Sequence, residues 1–229
     1  MVWWQFLFAP WQWLGHPCIY HRWKSNMPTK MDCTFRTAPS PYRQYISIHG
    51  KFRNGVICLV NVLMTGQLIG QYRQTLQVVK QNVRRTSRHR WRPHLVISDY
   101  EQSLIAAVET ELPNARICGC YFHFGQHLWR RVQSLWLARD YKQNRRLKKT
   151  IRKVIAIGYR YLHMALVRQH FLLLIWSRKT RRLQRQFPQF LHFFNYFEAN
   201  YLNGIFVSQM WNVYERNMDT RTNNYVESK

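Results

Sequence analysis

Three short runs of β-forming residues follow one another almost without interruption between Thr29 and Thr65: "TKMDCTFRT", "RQYISIHGKF" and "GVICLVNVLMT". β-branched and aromatic side chains favour a pleated, half-buried backbone, and the "RNG" between the second and third runs is a hairpin signal. Strands this closely spaced pair antiparallel, because a parallel partner needs a long crossover. The pattern then changes. "QYRQTLQVVKQNV" spaces Leu76, Val79 and Val83 as the apolar stripe of a helix. "HLVISDY" reads as a buried strand, "SLIAAVETEL" as a helix stopped by Pro113, and "ARICGCYF" as a fifth strand running into a helix around "HFGQHLWRRVQSLWL". Strand, helix and strand in alternation call for crossovers, an order that fits an α/β class and equally other α+β arrangements. The expected sheet is mixed, with three antiparallel strands plus two parallel ones.

Beyond Asp140 the strand signals fade. Residues 141–205 are basic and helical in pattern, with an apolar-periodic run from Ile151 to Trp176 and breaks at Pro188 and Gly204. A last helical segment is expected around "SQMWNVYERNM", before the closing "TRTNNYVESK". The Trp-rich start, residues 1–27, fits neither a strand nor a helix period and reads as a poorly defined leader. It is too short and too interrupted for a membrane span and lacks the charged n-region of a signal peptide. No membrane partner is expected.

Charge narrows the partners. Thirty-five Lys and Arg against ten Asp and Glu leave a formal net charge of +25. A chain this basic calls for a polyanion, and nucleic acid is the commonest. Three runs concentrate the cations: "RRTSRHRWR" with Arg84, Arg85, Arg88, Arg90 and Arg92; "RRLKKTIRK" with Arg145, Arg146, Lys148 and Lys149; and "SRKTRRLQRQ" with Arg181 and Arg182. Each is a candidate to follow a phosphate backbone. Trp91, Trp129 and Trp136 are candidates to stack on unpaired bases or to pack in the core.

Few carboxylates remain to carry chemistry. Asp32 falls within the first strand and Asp99 at the end of the fourth, where open α/β sheets place ligand-binding groups, and no acidic residue lies between them. Two aspartates on neighbouring strands suit divalent ions, which take one or two carboxylates together with phosphate oxygens. Glu101, Glu215, Asp219 and Glu227 all remain open as a third ligand. In "RICGCYFHFGQHLWRR", Cys118, Cys120, His123 and His127 crowd within ten residues. Strand alternation would put the two cysteines on one face and helix geometry would join the histidines, yet no second paired cluster supports a zinc site. With five cysteines and no CxxC pair, a disulfide framework is not expected.

"MDCTFRTAP…YRQYISIHG", "VISDYEQSLIAAVETELPNARICGCYFHFGQHLWRRVQ" and "WNVYERNMDTRTNNYVES" resemble, in order and spacing, the successive signatures of the Mutator-like (MULE) transposase domain, from about Pro28 to Ser228. The resemblance implies a DDE transposase with a ribonuclease H-like mixed sheet and a helical insertion before the last catalytic helix. Its first aspartate falls on Asp32, its second on Asp99, its C-x-x-H on Cys120 and His123, and its glutamate on Glu227. Asp32, Asp99 and Glu227 would then be both catalytic and metal-binding, holding two Mg²⁺ or Mn²⁺ ions. Cys120 and His123 would flank the active centre.

The resemblance divides residues 28–229 into a core (28–139), an insertion (140–207) and a final catalytic segment (208–229). It implies DNA, both transposon ends and target, as partner, the nucleus as location, and leaves a homo-oligomer open. Two features depart from the family. Cys33 replaces the glycine after the first aspartate, where it would crowd the metals, and the chain ends two residues after Glu227, so a truncated copy is expected. The alternative reading is a domesticated or decayed, non-catalytic DNA-binding or transcription-regulating derivative.

Overall fold

The computed structural model describes residues 4–8, 11–15, 27–34, 38–52, 55–87, 90–159, 164–217 and 221. They fall into two compact units, one of residues up to Cys118 and the other Gly119–Thr222.

The first unit is built on a sheet. The three closely spaced runs become β3 (Thr29–Thr34), β4 (Gln44–Phe52) and β5 (Gly55–Met64), after two earlier strands, β1 (Trp4–Phe8) and β2 (Trp11–Gly15). Helix α1 (Ile69–Ser87), β6 (Leu95–Ser98), α2 (Gln102–Glu111) and β7 (Arg116–Gly119) complete it. The strand order is β1-β2-β5-β4-β3-β6-β7. β3, β4 and β5 pair antiparallel as expected, while β3 and β6 pair parallel. The sheet is therefore mixed, and its five strands from β3 onward stand in an order compatible with a ribonuclease H-like fold.

The two N-terminal strands correct the reading of residues 1–27 as patternless. β2 pairs antiparallel with β5, from Trp11 opposite Met64 to Leu14 opposite Asn61. Two five-residue strands are too short to show a period, and pairing with an existing strand organises them.

Helix α1 buries Tyr72, Leu76, Val79 and Val83, the stripe legible in the sequence, and α2 buries Leu104, Ala107 and Val108. Both cover one face of the sheet, joining Met31 and Cys33 of β3, Ile46 and Ile48 of β4, and Val60, Val62 and Met64 of β5 in one core. Each such side chain contributes about 1.5–3 kcal/mol when fully buried. A polar clamp ties the helices together. The Glu111 carboxylate of α2 accepts hydrogen bonds from Arg73 Nε (3.1 Å), Gln77 Nε2 (2.8 Å) and Lys80 Nζ (3.2 Å) of α1.

The second unit is helical: α3 (Tyr121–Ser134), α4 (Ala138–Gln143), α5 (Arg145–Ala156), a 3₁₀ turn (Ile157–Tyr159), α6 (Met164–Trp176), α7 (Arg178–Gln186), α8 (Phe190–Phe197), a π turn (Glu198–Leu202) and α9 (Ser208–Trp211). The run Ile151–Trp176, expected as one helical stretch, is broken at Ile157. The final helical segment is shorter than expected and ends at Trp211. Its core is aromatic. Phe190, Phe193, Phe194 and Phe197 line the buried face of α8, and Phe124 of α3 stacks on Trp211 with ring centroids 5.7 Å apart. Trp211 Nε1 donates to the carbonyls of Tyr201 (3.0 Å) and Phe206 (3.1 Å). The buried Arg216 guanidinium donates to the carbonyls of Gly119, Gln209 and Met210, pinning the segment after α9 to the start of α3.

Helix α3 closes on an unusual residue. Leu137 N–H bonds to the Val132 carbonyl and Trp136 N–H to that of Gln133, the paired bonds of a Schellman motif. Trp136 takes the left-handed position at φ 58°, where glycine is usual, and is 88% exposed.

Candidate functional site

β3 and β6 lie side by side where the strand order reverses direction, at β5-β4-β3 on one side and β6-β7 on the other. In open α/β sheets ligands bind outside the carboxyl ends of strands at such a switch point. The register there is Thr29 opposite Val96 and Lys30 opposite Ile97. Asp32 and Asp99 each lie two residues beyond the last of these pairs. Both are buried, at 7% and 4% exposure respectively.

Strand alternation separates the two faces of β3. Met31 and Cys33 enter the helix-covered core; Lys30 and Asp32 occupy the opposite face. Cross-strand partners share a face, so Ser47 of β4, opposite Asp32, and Asn61 of β5, opposite Ser47, extend a polar row from Asp32 across the sheet. Tyr45 Oη donates to Asn61 Oδ1 at 2.6 Å, and Cys58 Sγ donates to the same oxygen at 3.0 Å. Beside this row, Lys30 stands opposite His49. Burial, reinforced by the Lys30 charge, lowers the His49 pKa to about 4, so the ring is neutral near pH 7.

Asp99 leaves β6 into a tight turn. Its Oδ1 accepts the Glu101 backbone N–H at 3.2 Å, and Ser98 Oγ donates to the Asp99 carbonyl at 2.9 Å. This Asx-type turn holds the carboxylate at the mouth of α2. A single probe senses both aspartates. The Cys33 thiol pKa is pushed well up, first by burial, then by the charges of Asp99 and Asp32 and, more weakly, by Glu101. Burial also raises the Tyr72 phenol, with smaller contributions from Glu101 and Asp99, while its hydroxyl donates to Gln44 Oε1 at 2.9 Å.

Cys33 therefore does not crowd the carboxylates as the sequence suggested. It packs on the far side of β3. Lys30, Ser47 and Asn61 were not singled out from the sequence; alternation alone marks Lys30, two residues before Asp32, but Ser47 and Asn61 depend on strand register.

Carboxylate, hydroxyl and amide oxygens are the donor types that hard divalent cations take. Glu227 lies outside the described residues, as do Asp219 and Arg88. Among the described residues, no group of three or more His, Cys, Asp and Glu side chains converges to hold a metal.

Cys118 and Cys120 do not sit on one strand face. Cys118 is buried in β7, whereas Cys120, also buried, is the extended N-cap of α3. The helix begins at Tyr121, earlier than the sequence pattern implied. His123 lies in its first turn, its ring 5.6 Å from that of Phe122. His127 faces Tyr201, with Nδ1 and the hydroxyl 3.4 Å apart, and burial lowers its pKa to about 4.

The basic candidates gather on separate surfaces. Arg84, Arg90 and Arg92 line a 590 Å³ pocket of the first unit, with Arg85 exposed alongside. In the second unit Arg145, Arg146, Lys149 and Arg182 line one larger groove. Lys148 lies over the Tyr141 ring at 5.7 Å, and Arg181 is exposed. Of the candidate tryptophans, Trp91 is buried and Trp129 packs edge-on to Tyr141, leaving Trp136 exposed. No helix among the described residues is long and apolar enough to cross a membrane.

Residues 29–127 match the family model of the MULE transposase domain. The matched span takes in Asp32, Asp99, Cys120 and His123, and the resemblance read from the sequence holds over it. No curated protein matches the chain.

Proposed function

We propose that the chain is the catalytic part of a DDE-type transposase, cleaving DNA strands and transferring them in a metal-dependent reaction. What supports this reading is the match to a transposase domain over residues 29–127, a span in which Asp32 and Asp99 each lie two residues beyond the parallel pair of Lys30 and Ile97. Asp32, Asp99 and Glu227 would hold two Mg²⁺ or Mn²⁺ ions. When bound, such ions supply Lewis-acid stabilisation of a transferring phosphoryl group and ease deprotonation of the attacking hydroxyl.

The protein's own groups supply position. The Asx turn fixes Asp99, and the strand backbone fixes Asp32, so neither carboxylate reorganises when substrate arrives. Lys30, on the Asp32 face, adds a fixed positive charge that favours a phosphodiester. Cys120 and His123 would flank the centre, with His123 contacting phosphate or orienting a carboxylate. The helical unit serves as the insertion that precedes the last catalytic segment. The DNA partners are element ends and target, in the nucleus.

A second reading, a DNA-binding derivative without cleavage, is favoured by the basic surfaces, which need no carboxylate to hold phosphate. Nicking of supercoiled plasmid in Mn²⁺ separates the two. Cutting by the wild-type chain that disappears in Asp99→Asn and in Asp32→Asn supports the transposase reading. Undiminished cutting by Asp99→Asn refutes it, and DNA binding with no cutting by any form leaves the derivative.

A further inference from the structure

The two basic runs of the second unit, some thirty residues apart in sequence, face each other. Arg145, Arg146, Lys149 and Lys153 of α5 and Lys179 and Arg182 of α7 line one groove of about 1290 Å³, in which Asp140 is the one carboxylate among the described residues. Helices α5, α6 and α7 contain no acidic residue. On α5 the pairs Arg145/Lys149 and Lys149/Lys153 stand four residues apart, and each such like-charged pair costs a helix about 0.2–0.5 kcal/mol. The N-termini of α5 and α7, capped by Asn144 and Ser177, open on the same groove and add their partial positive charge. A polyanion lying in the groove relieves this repulsion.

The remaining lining is not polar. Ile157, Leu173, Leu174 and Phe187 contribute apolar surface, and Leu173 is 62% exposed in a groove lined by six cations. The outside of a duplex offers phosphate and sugar and gains little from such a wall. An unpaired strand offers phosphates along one edge and the apolar faces of bases along the other.

We propose that this groove binds a single-stranded segment of DNA, its phosphates on the cations of α5 and α7 and its bases against Leu173, Leu174 and Phe187. The inference deepens the DNA reading above and assigns the second unit a role apart from the carboxylates. Strand cleavage and transfer expose unpaired ends, and a groove of this kind holds one.

The test uses the full chain carrying Asp99→Asn, in EDTA, with a labelled oligothymidine followed by fluorescence anisotropy. Lys149→Glu with Arg182→Glu is expected to weaken binding at least tenfold. The milder Lys149→Gln with Arg182→Gln should reduce the log–log salt slope by about 0.7 for each phosphate that is no longer neutralised. Leu173→Asn should weaken oligothymidine but not duplex. Circular dichroism checks that each variant is folded, and all three positions are solvent-exposed. Unchanged oligothymidine affinity in the folded glutamine variant overturns the proposal. Equal competition by duplex of the same length, or by inorganic polyphosphate of the same charge, overturns it as well. Because binding is read without metal or cleavage, its failure leaves the transposase reading standing. Failure of cleavage with strand binding intact strikes that reading alone.

Discussion

Asp32 and Asp99 each lie two residues beyond the last pair of one parallel register, in which Thr29 stands opposite Val96 and Lys30 opposite Ile97. Both are buried, and both act on the Cys33 thiol. Mn²⁺ is therefore expected to raise the melting temperature of the wild-type chain, since a ligand bound only by the folded state stabilises it by mass action. Asp32→Asn and Asp99→Asn should each abolish the Mn²⁺-dependent shift while remaining folded. Differential scanning fluorimetry with and without Mn²⁺ reads this directly. A full shift retained in both variants would move the ion elsewhere.

The neutral, buried His49 makes stability depend on pH. Its folded pKa, about 4, lies below the ordinary histidine value of 6.5. Between these values the unfolded chain binds a proton that the folded chain does not. Stability is thus full above pH 6.5, falls as pH drops towards 4, and levels off below. The loss attributable to His49 is at most about 3 kcal/mol. His127, lowered to about 4 mainly by burial and further by His123 and Arg130, acts in the same direction. Urea denaturation across this range should show the slope, and His49→Gln should flatten part of it.

Trp136 occupies the left-handed position of a Schellman motif with its side chain in solvent. A bulky residue is strained there by about 1–2 kcal/mol, and glycine is not. Trp136→Gly should stabilise the chain by roughly 1 kcal/mol, read as a higher denaturation midpoint. A lower midpoint would show that the indole contributes to packing.

Trp211 joins Phe124 by stacking and joins two carbonyls by its indole N–H. Trp211→Ala removes a fully buried side chain and should cost about 3–5 kcal/mol. Trp211→Phe keeps most of the packing but leaves the Tyr201 and Phe206 carbonyls without that donor, and should cost less. Chemical denaturation of the two variants orders them.

Local period was enough to read much of the first unit. The α1 stripe of Leu76, Val79 and Val83 and the strands from β3 to β7 are set by near-neighbour side chains, which a linear pattern records. The family resemblance was legible through motif order, and residues 29–127 match the model of that domain. What lay beyond the pattern depends on partners distant in the chain. β2 becomes a strand by adding to β5, and β1 by adding to β2, so their own residues carry little signal. Ser47 and Asn61 come into line with Asp32 through cross-strand register, and Cys33 turns away from the carboxylates because the helix-covered face claims it. Two basic runs, each read from the sequence as a separate candidate for phosphate contact, became the walls of one groove when α5 and α7 packed together. A charge pattern along a chain states how much repulsion must be borne, whereas packing determines where those charges meet and what they can hold.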